Sequence, residues 1–278
     1  MVVDESVRGR PAPALRPYVA WYSGYRQAGV APARHRGLPS PYLTLIVTID
    51  DPLVVEAHPD PNQPGAEYTT LVGGLHTVPA LITHDGRQSG VQLALRPLGA
   101  RALLGLPAGE LGHLDVRGED VLGPLAAELH ERLRAASTWP ARWAVLDAVF
   151  SKICRPDNTP PPEVTEAWRL LVGGAHTVAE AADVVGWSAR RLSDRFGTEL
   201  GVSPKAAAKI ARFDRARRLL MTGDRTVADA AVACGYYDQA HLARDFRDLA
   251  GTPPSQWLAE ERRFVQAPDD VTREDSRS

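Results

Sequence analysis

A chain of 278 residues, 44% hydrophobic and 24% charged, has an ordinary globular composition and room for two domains. Its formal net charge of -2 excludes a grossly basic nucleic-acid binder, so any contact with a polyanion depends on where charge sits. Cys154 and Cys234 are too few for a disulfide framework or a cysteine-rich metal site, and no signal peptide or apolar stretch of membrane length is read, so a cytoplasmic location without membrane contact is expected.

In chain order, residues 1–13 are polar and proline-rich, and disorder is expected at the start. Residues 15–25 (LRPYVAWYSGY) carry Tyr18, Trp21, Tyr22 and Tyr25, the densest aromatic group. They form either the core of a β-rich domain or the wall of a ligand pocket. Residues 42–49 read as a strand rich in β-branched side chains, with VVEAH from Val54 as its hairpin partner across Asp51-Pro52. After a loop at 58–66, TTLVGGLHTVPALITHDGR reads as two strands, broken at Gly73-Gly74 and turned at Asp85-Gly86. GVQLALRP from Gly90 reads as one more. Short strands with turn signals predict a sandwich or barrel. Trp21, Tyr22, His35, Tyr42, His76 and Arg96 are the candidate ligand-binding residues of this half. His35, His58, His76 and His84 match no metal-ligand spacing, and neither a metal nor a cofactor is expected.

After Pro97 the apolar period becomes helical. LGARALLGL reads as a short helix. Residues 122–135 place Leu122, Leu125, Leu129 and Leu133 on one face, and residues 140–153 do the same with Trp143, Leu146, Phe150 and Ile153. These faces pack on the parent sheet or on a second subunit. RPDNTPPP at 155–162 is a polar linker. The expected division is a β-rich effector-binding and dimerisation domain at 1–153, a linker at 154–162, an all-α domain at 163–264 and a disordered tail at 265–278. The fold class is thus α+β in two domains: a β-rich, barrel- or sandwich-like half with C-terminal helices, then an all-α half.

The all-α half contains one pattern twice. TVAEAADVVGWSARRLSDRFGTELGVSP (177–204) aligns with TVADAAVACGYYDQAHLARDFRDLAGTPP (226–254), which has one extra residue after its central glycine. Thr177 and Thr226 suit the N-cap, with Glu180 and Asp229 completing capping boxes. Gly186 and Gly235 stand where the chain turns sharply. Leu192 and Phe196, or Leu242 and Phe246, then face inward from a second helix. Each copy is a helix-turn-helix, whose second helix lies in the DNA major groove. One helix at 204–221 joins them, with Ile210, Phe213, Leu219 and Leu220 inward. From Ser203 to Arg225, Lys205, Lys209, Arg212, Arg215, Arg217, Arg218 and Arg225 oppose only Asp214 and Asp224, and part of that charge is expected near phosphates.

With its paired units, the connecting FDRARRLL and the closing TPPSQW, the stretch 163–264 resembles the C-terminal DNA-binding domain of the AraC/XylS family of transcription regulators. The N-terminal half loosely resembles the β-rich sensor domains fused to such modules, and VQLALRPLGARALLGLPAGEL carries the Arg-Pro-x-Gly turn of one such group. The resemblance implies a non-enzymatic, sequence-specific regulator that binds double-stranded promoter DNA. It also implies a small-molecule effector, a homodimer formed through the N-terminal domain, and contact with RNA polymerase if the protein is an activator. Carried onto this sequence, the DNA-facing positions of the first unit are Ser188, Ala189, Arg190, Arg191, Ser193 and Asp194. Those of the second are Asp238, Gln239, His241, Arg244 and Arg247. Arg190 and Arg244 suit guanine, Gln239 suits adenine, and Arg247 suits phosphate. Ser188, Arg195, Lys205 and Thr226 are further phosphate candidates. Asp194 departs from the polar or basic residue usual in the family and either accepts from a cytosine amino group or orients an arginine. Two other readings stand beside this one: a ligand-free dimerisation module in the N-terminal half, or a DNA-alkylation repair enzyme, which would need a reactive cysteine.

Overall fold

The computed structural model describes residues 2–261. Ten strands and three helices come first: β1 (Val3–Gly9), β2 (Val19–Ala28), β3 (Ala33–Gly37), β4 (Leu43–Thr48), β5 (Leu53–Ala57), β6 (Ala66–Tyr68), β7 (Thr70–Gly73), β8 (Ala80–His84), β9 (Arg87–Leu95), α1 (Ala100–Leu104), β10 (Asp115–Arg117), α2 (Gly118–Leu122) and α3 (Pro124–Ala135). Eight helices follow: α4 (Trp139–Ile153), α5 (Pro162–Gly173), α6 (Val178–Val184), α7 (Ala189–Leu200), α8 (Pro204–Met221), α9 (Val227–Ala233), α10 (Gln239–Ala250) and α11 (Pro254–Glu261).

The strands form two antiparallel sheets that do not close into a barrel. One runs β1-β2-β9-β4-β7-β10, the other β3-β8-β5-β6. The six-stranded sheet is the middle layer. Ile46 and Leu71 from it pack with Leu53, Val55, Tyr68, Ala80 and Ile82 of the smaller sheet. Leu43, Leu45, Val47, Val91, Leu93 and Leu95 point the other way and join Leu129, Leu133, Leu146, Val149 and Phe150 of α3 and α4. A strand buried on both faces reads as a near-continuous apolar run, as LTLIVT does.

Two expectations are corrected here. The chain start is not disordered over its length, because Val3–Gly9 pairs with β2, Val3 opposite Ala28 and Gly9 opposite Tyr22. VVEAH is not the hairpin partner of β4. β5 pairs with β6 and β8, so the chain leaves one sheet at Asp51-Pro52 and enters the other. The tail at 265–278, expected to be disordered, lies outside the described residues, as does the end of the stretch 163–264.

The two halves share one continuous hydrophobic core. The 3-10 turn Ala108–Leu111 lies against the C-terminal end of α7. A methyl group on Gly109 would stand 2.0 Å from the Thr198 carbonyl oxygen, and one on Gly112 would stand 2.8 Å from the Gly201 Cα. Beside this backbone contact, Arg101 donates to both carboxylate oxygens of the buried Glu199, at 2.8 and 2.9 Å. That pairing raises the guanidinium pKa, outweighing the effect of its own burial. Arg36 pairs with Glu260, and the Arg218 guanidinium stands 5.9 Å from the Tyr42 ring. The linker is also pinned: Arg155 N–H donates to the Ala102 carbonyl (2.9 Å) and the Asn158 amide to the Arg101 carbonyl (2.8 Å).

Candidate nucleic-acid interface

The paired pattern of the sequence becomes paired geometry. Thr177 and Thr226 cap α6 and α9, each in a complete capping box with Glu180 or Asp229. Gly186 (φ 70°) and Gly235 (φ 76°) make the left-handed turn that follows. Ser188 caps α7 and Asp238 caps α10 by accepting from the third backbone N–H on. Inward from α7, Leu192 and Phe196 are fully buried, with Phe196 stacked on Trp168 at 6.0 Å. Inward from α10, Phe246 meets Phe213 of α8 edge-on at 4.8 Å and Trp257 of α11 at 5.5 Å. The joining helix α8 thus braces the second unit through Phe213, and each reading helix is anchored by one face only.

The other face of each is exposed. On α7, Arg190, Arg191, Ser193, Asp194 and Arg195 are open to solvent. On α10, Gln239, Arg244 and Arg247 are. Two of the expected contacts also meet groups of the protein itself. Arg191 lies over the Trp187 ring at 4.8 Å. His241 is half-buried, edge-on to Tyr236 at 5.1 Å, with its Nδ1 3.5 Å from the Tyr237 N–H. Among the described residues, the side chains of Arg190, Arg195, Arg244 and Arg247 have no hydrogen-bond or ion-pair partner.

The basic run on α8 behaves differently. Lys209 and Arg212 pair with the buried Asp245, Arg217 and Arg218 with the buried Asp214, and Arg215 donates to the Val172 carbonyl at 2.6 Å. Three of these cations therefore tie α8 to α10 and α5, two pair within α8, and Lys205 and, beyond the helix, Arg225 remain outward. The sequence carried a signal for this: Glu199, Asp214 and Asp245 occupy positions where the apolar period calls for inward residues. A carboxylate there requires a partner.

The ligand candidates lie among different neighbours. Tyr22 is fully buried, donates to Asp147 Oδ1 at 2.9 Å and stacks on Trp143. Trp21 lies under Arg8, and Arg96 donates to the Arg16 carbonyl. His76 contacts the Val78 carbonyl, and Tyr42 faces Arg218 at the contact between halves. His35 stands 6.3 Å from His84, centroid to centroid. Burial, then the neighbouring His84, lowers the His35 pKa to about 4. A separate open cleft of about 450 Å3 lies between the strand ends and α3, walled by Thr48, Asp50, Glu67, Thr69, Arg117 and His130 among others. Its residues come from four separate stretches of chain, so no local pattern marks them. Burial raises the pKa of both Cys154 and Cys234, the opposite of an activated thiol.

Residues 181–260 match the family model described as a helix-turn-helix domain, and residues 7–117 match a domain of unknown function, DUF6597. The chain is 31% identical over 106 residues to the transcriptional activator NphR of Rhodococcus sp., covering 37% of this chain and 31% of that protein. It is 30% identical over 120 residues to the HTH-type transcriptional regulator Rv1931c of Mycobacterium tuberculosis, covering 42% of this chain and 46% of that one. The chain thus spans less than half the length of these relatives. In overall fold it is similar to ToxT from Vibrio cholerae, with a TM-score of 0.51 at 11% identity over 86% of this chain and 97% of that one. A second ToxT structure, bound to (E)-4-(8-methylnaphthalen-1-yl)but-3-enoic acid, matches at TM-score 0.51 and 13% identity over 86% of this chain and 98% of that chain. The C-terminal part of this chain, with its paired units on a joining helix, belongs to the AraC/XylS type of helix-turn-helix domain.

Proposed function

We propose that the protein is a sequence-specific transcription regulator: residues 163–264 read double-stranded promoter DNA, and residues 1–153 receive a small-molecule effector and form a homodimer. The observation that carries this is the division of charge. Four cations of the joining helix are neutralised within the fold, while Arg190, Arg195, Arg244 and Arg247 on the reading helices are left without partners among the described residues. Arg190 and Arg244 suit guanine, Gln239 adenine, and Arg247, Ser188 and Lys205 phosphate. Control by a ligand is supported by the Arg101–Glu199 and Gly109–Thr198 contacts. An effector acts by binding docked and undocked arrangements with different affinity. The ligand-bound ToxT structure is a precedent in a protein of similar fold. A cytoplasmic regulator of this kind contacts RNA polymerase if it activates.

The test is selection from a random-sequence duplex pool with the purified full chain. A motif with two blocks about one helical turn (~10 bp) apart is the expected product. Retention without sequence enrichment would overturn the reading.

A further inference from the structure

The two units differ by one residue of length. The Trp187 N–H donates to the Ala182 carbonyl and the Tyr236 N–H to the Ala231 carbonyl, both at 2.9 Å, so Trp187 and Tyr236 are equivalent. Ser188 then caps α7 at once, whereas Asp238 caps α10 only after one more residue. That inserted residue is Tyr237, and it is 93% exposed. A turn that only has to close uses small polar residues. Here it presents a whole phenol ring to solvent.

The turn carrying the ring is held. The Tyr237 N–H faces His241 Nδ1 at 3.5 Å, and Asp238 Oδ1 accepts from the His241 N–H at 2.6 Å. His241 is itself fixed edge-on to Tyr236. The ring therefore projects from ordered backbone directly before the N-terminus of α10. In a helix-turn-helix, the first residues of the reading helix meet base edges, and the chain just before them passes the sugar-phosphate wall of the groove.

We propose that Tyr237 is a DNA-contact residue found only in the second unit: its ring packs on a deoxyribose, and its hydroxyl donates to a phosphate oxygen at the edge of the groove that α10 enters. Tyrosine is among the side chains that make such contacts. The proposal rests on α10 being a DNA-reading helix. Because the donor is neutral, it strengthens binding without releasing a counterion, unlike the arginines on the same helix. Because α7 has no equivalent residue, the contact gives the two half-sites different backbone footprints.

The experiment uses the full chain and a duplex enriched with it from a random-sequence pool. Tyr237→Ala is expected to weaken binding roughly ten-fold, to selected and scrambled duplexes alike, with the slope of log affinity against log salt unchanged. Tyr237→Phe loses part of this. Ethylation of one phosphate beside the second half-site blocks the wild type and no longer matters to Tyr237→Ala. Thermal unfolding is unmoved, since the ring is exposed. Arg244→Ala is the control. Wild-type affinity in Tyr237→Ala with weakened Arg244→Ala overturns this proposal alone. Wild-type affinity in both overturns the reading of α10 as well. Normal DNA binding by Tyr237→Ala with loss of transcription places a protein on the ring and also overturns the proposal.

Discussion

Asp194 and Arg244 hold the same place in the two units, two residues beyond Leu192 and Leu242 and two before Phe196 and Phe246, yet they carry opposite charge. Both are exposed. A guanidinium donates to guanine O6 and N7, while a carboxylate accepts from a cytosine amino group and is repelled by phosphate. On the proposed reading, the second helix should be the stronger reader. Arg244→Ala should lower specific affinity by roughly 1–3 kcal/mol and relax preference at one base pair, as checked by selection with the variant. An unchanged selection profile would remove Arg244 from the interface. At the other end of the molecule, His35 has a folded pKa of about 4 against an ordinary value of 6.5. The unfolded chain takes up this proton below about 6.5, while the folded chain resists it until about 4. Stability should fall with pH across that window, and His35→Gln should flatten the fall. Urea midpoints at several pH values measure it, and equal slopes in both proteins would count against the assignment.

At the scale of elements, the docked end of α7 depends on missing side chains. Gly109 and Gly112 let the 3-10 turn approach Thr198 and Gly201 backbone to backbone, where nothing flexible can give way. Gly109→Ala should push turn and helix apart at a cost of about 1–3 kcal/mol. Amide exchange should quicken near 109–112 and 197–201 while the sheets and the second unit keep their protection. No change in exchange there would show that the contact is looser than the geometry implies. The helices were legible in the sequence because their signals are local: a threonine with an acid three residues on, a glycine at the turn, leucine and phenylalanine four apart. Most strands were legible too, but their partners were not, because pairing joins distant residues. Asp51-Pro52 reads as a hairpin turn, but whether β5 folds back on β4 or crosses to β8 is decided by which faces are buried, and no short window contains that. Strand β3 (ARHRG) has no apolar alternation to find, since its inward positions are Ala33, His35 and Gly37, opposite His84, Ile82 and Ala80. The exposed face of each second helix followed from the repeat. The contact between halves did not, because Arg101 and Glu199 are ninety-eight residues apart.

At the scale of the whole molecule, a net charge of -2 and the proposed DNA-reading face coexist because Glu199 and Asp245 on the two reading helices are buried against cations of the fold, although Asp194 stays exposed. Glu199 shows what such an acid does. It is nearly inaccessible (side chain 7% exposed) and pairs with an Arg101 that is 30% exposed. Removing one member of a buried pair leaves the other desolvated and unpaired, which costs about 3 kcal/mol at the lower end of the usual range, appropriate here because Arg101 reaches solvent. The hydrophobic core runs unbroken from the large sheet into the reading domain. Elements that share a core unfold together. The intact chain should therefore melt in a single calorimetric transition, and Glu199→Ala should lower its midpoint and begin to separate the halves. Two resolved transitions in the wild type, neither moved by Glu199→Ala, would mean that the halves are only loosely apposed. The path from an effector site to the DNA would then have to run through the linker instead.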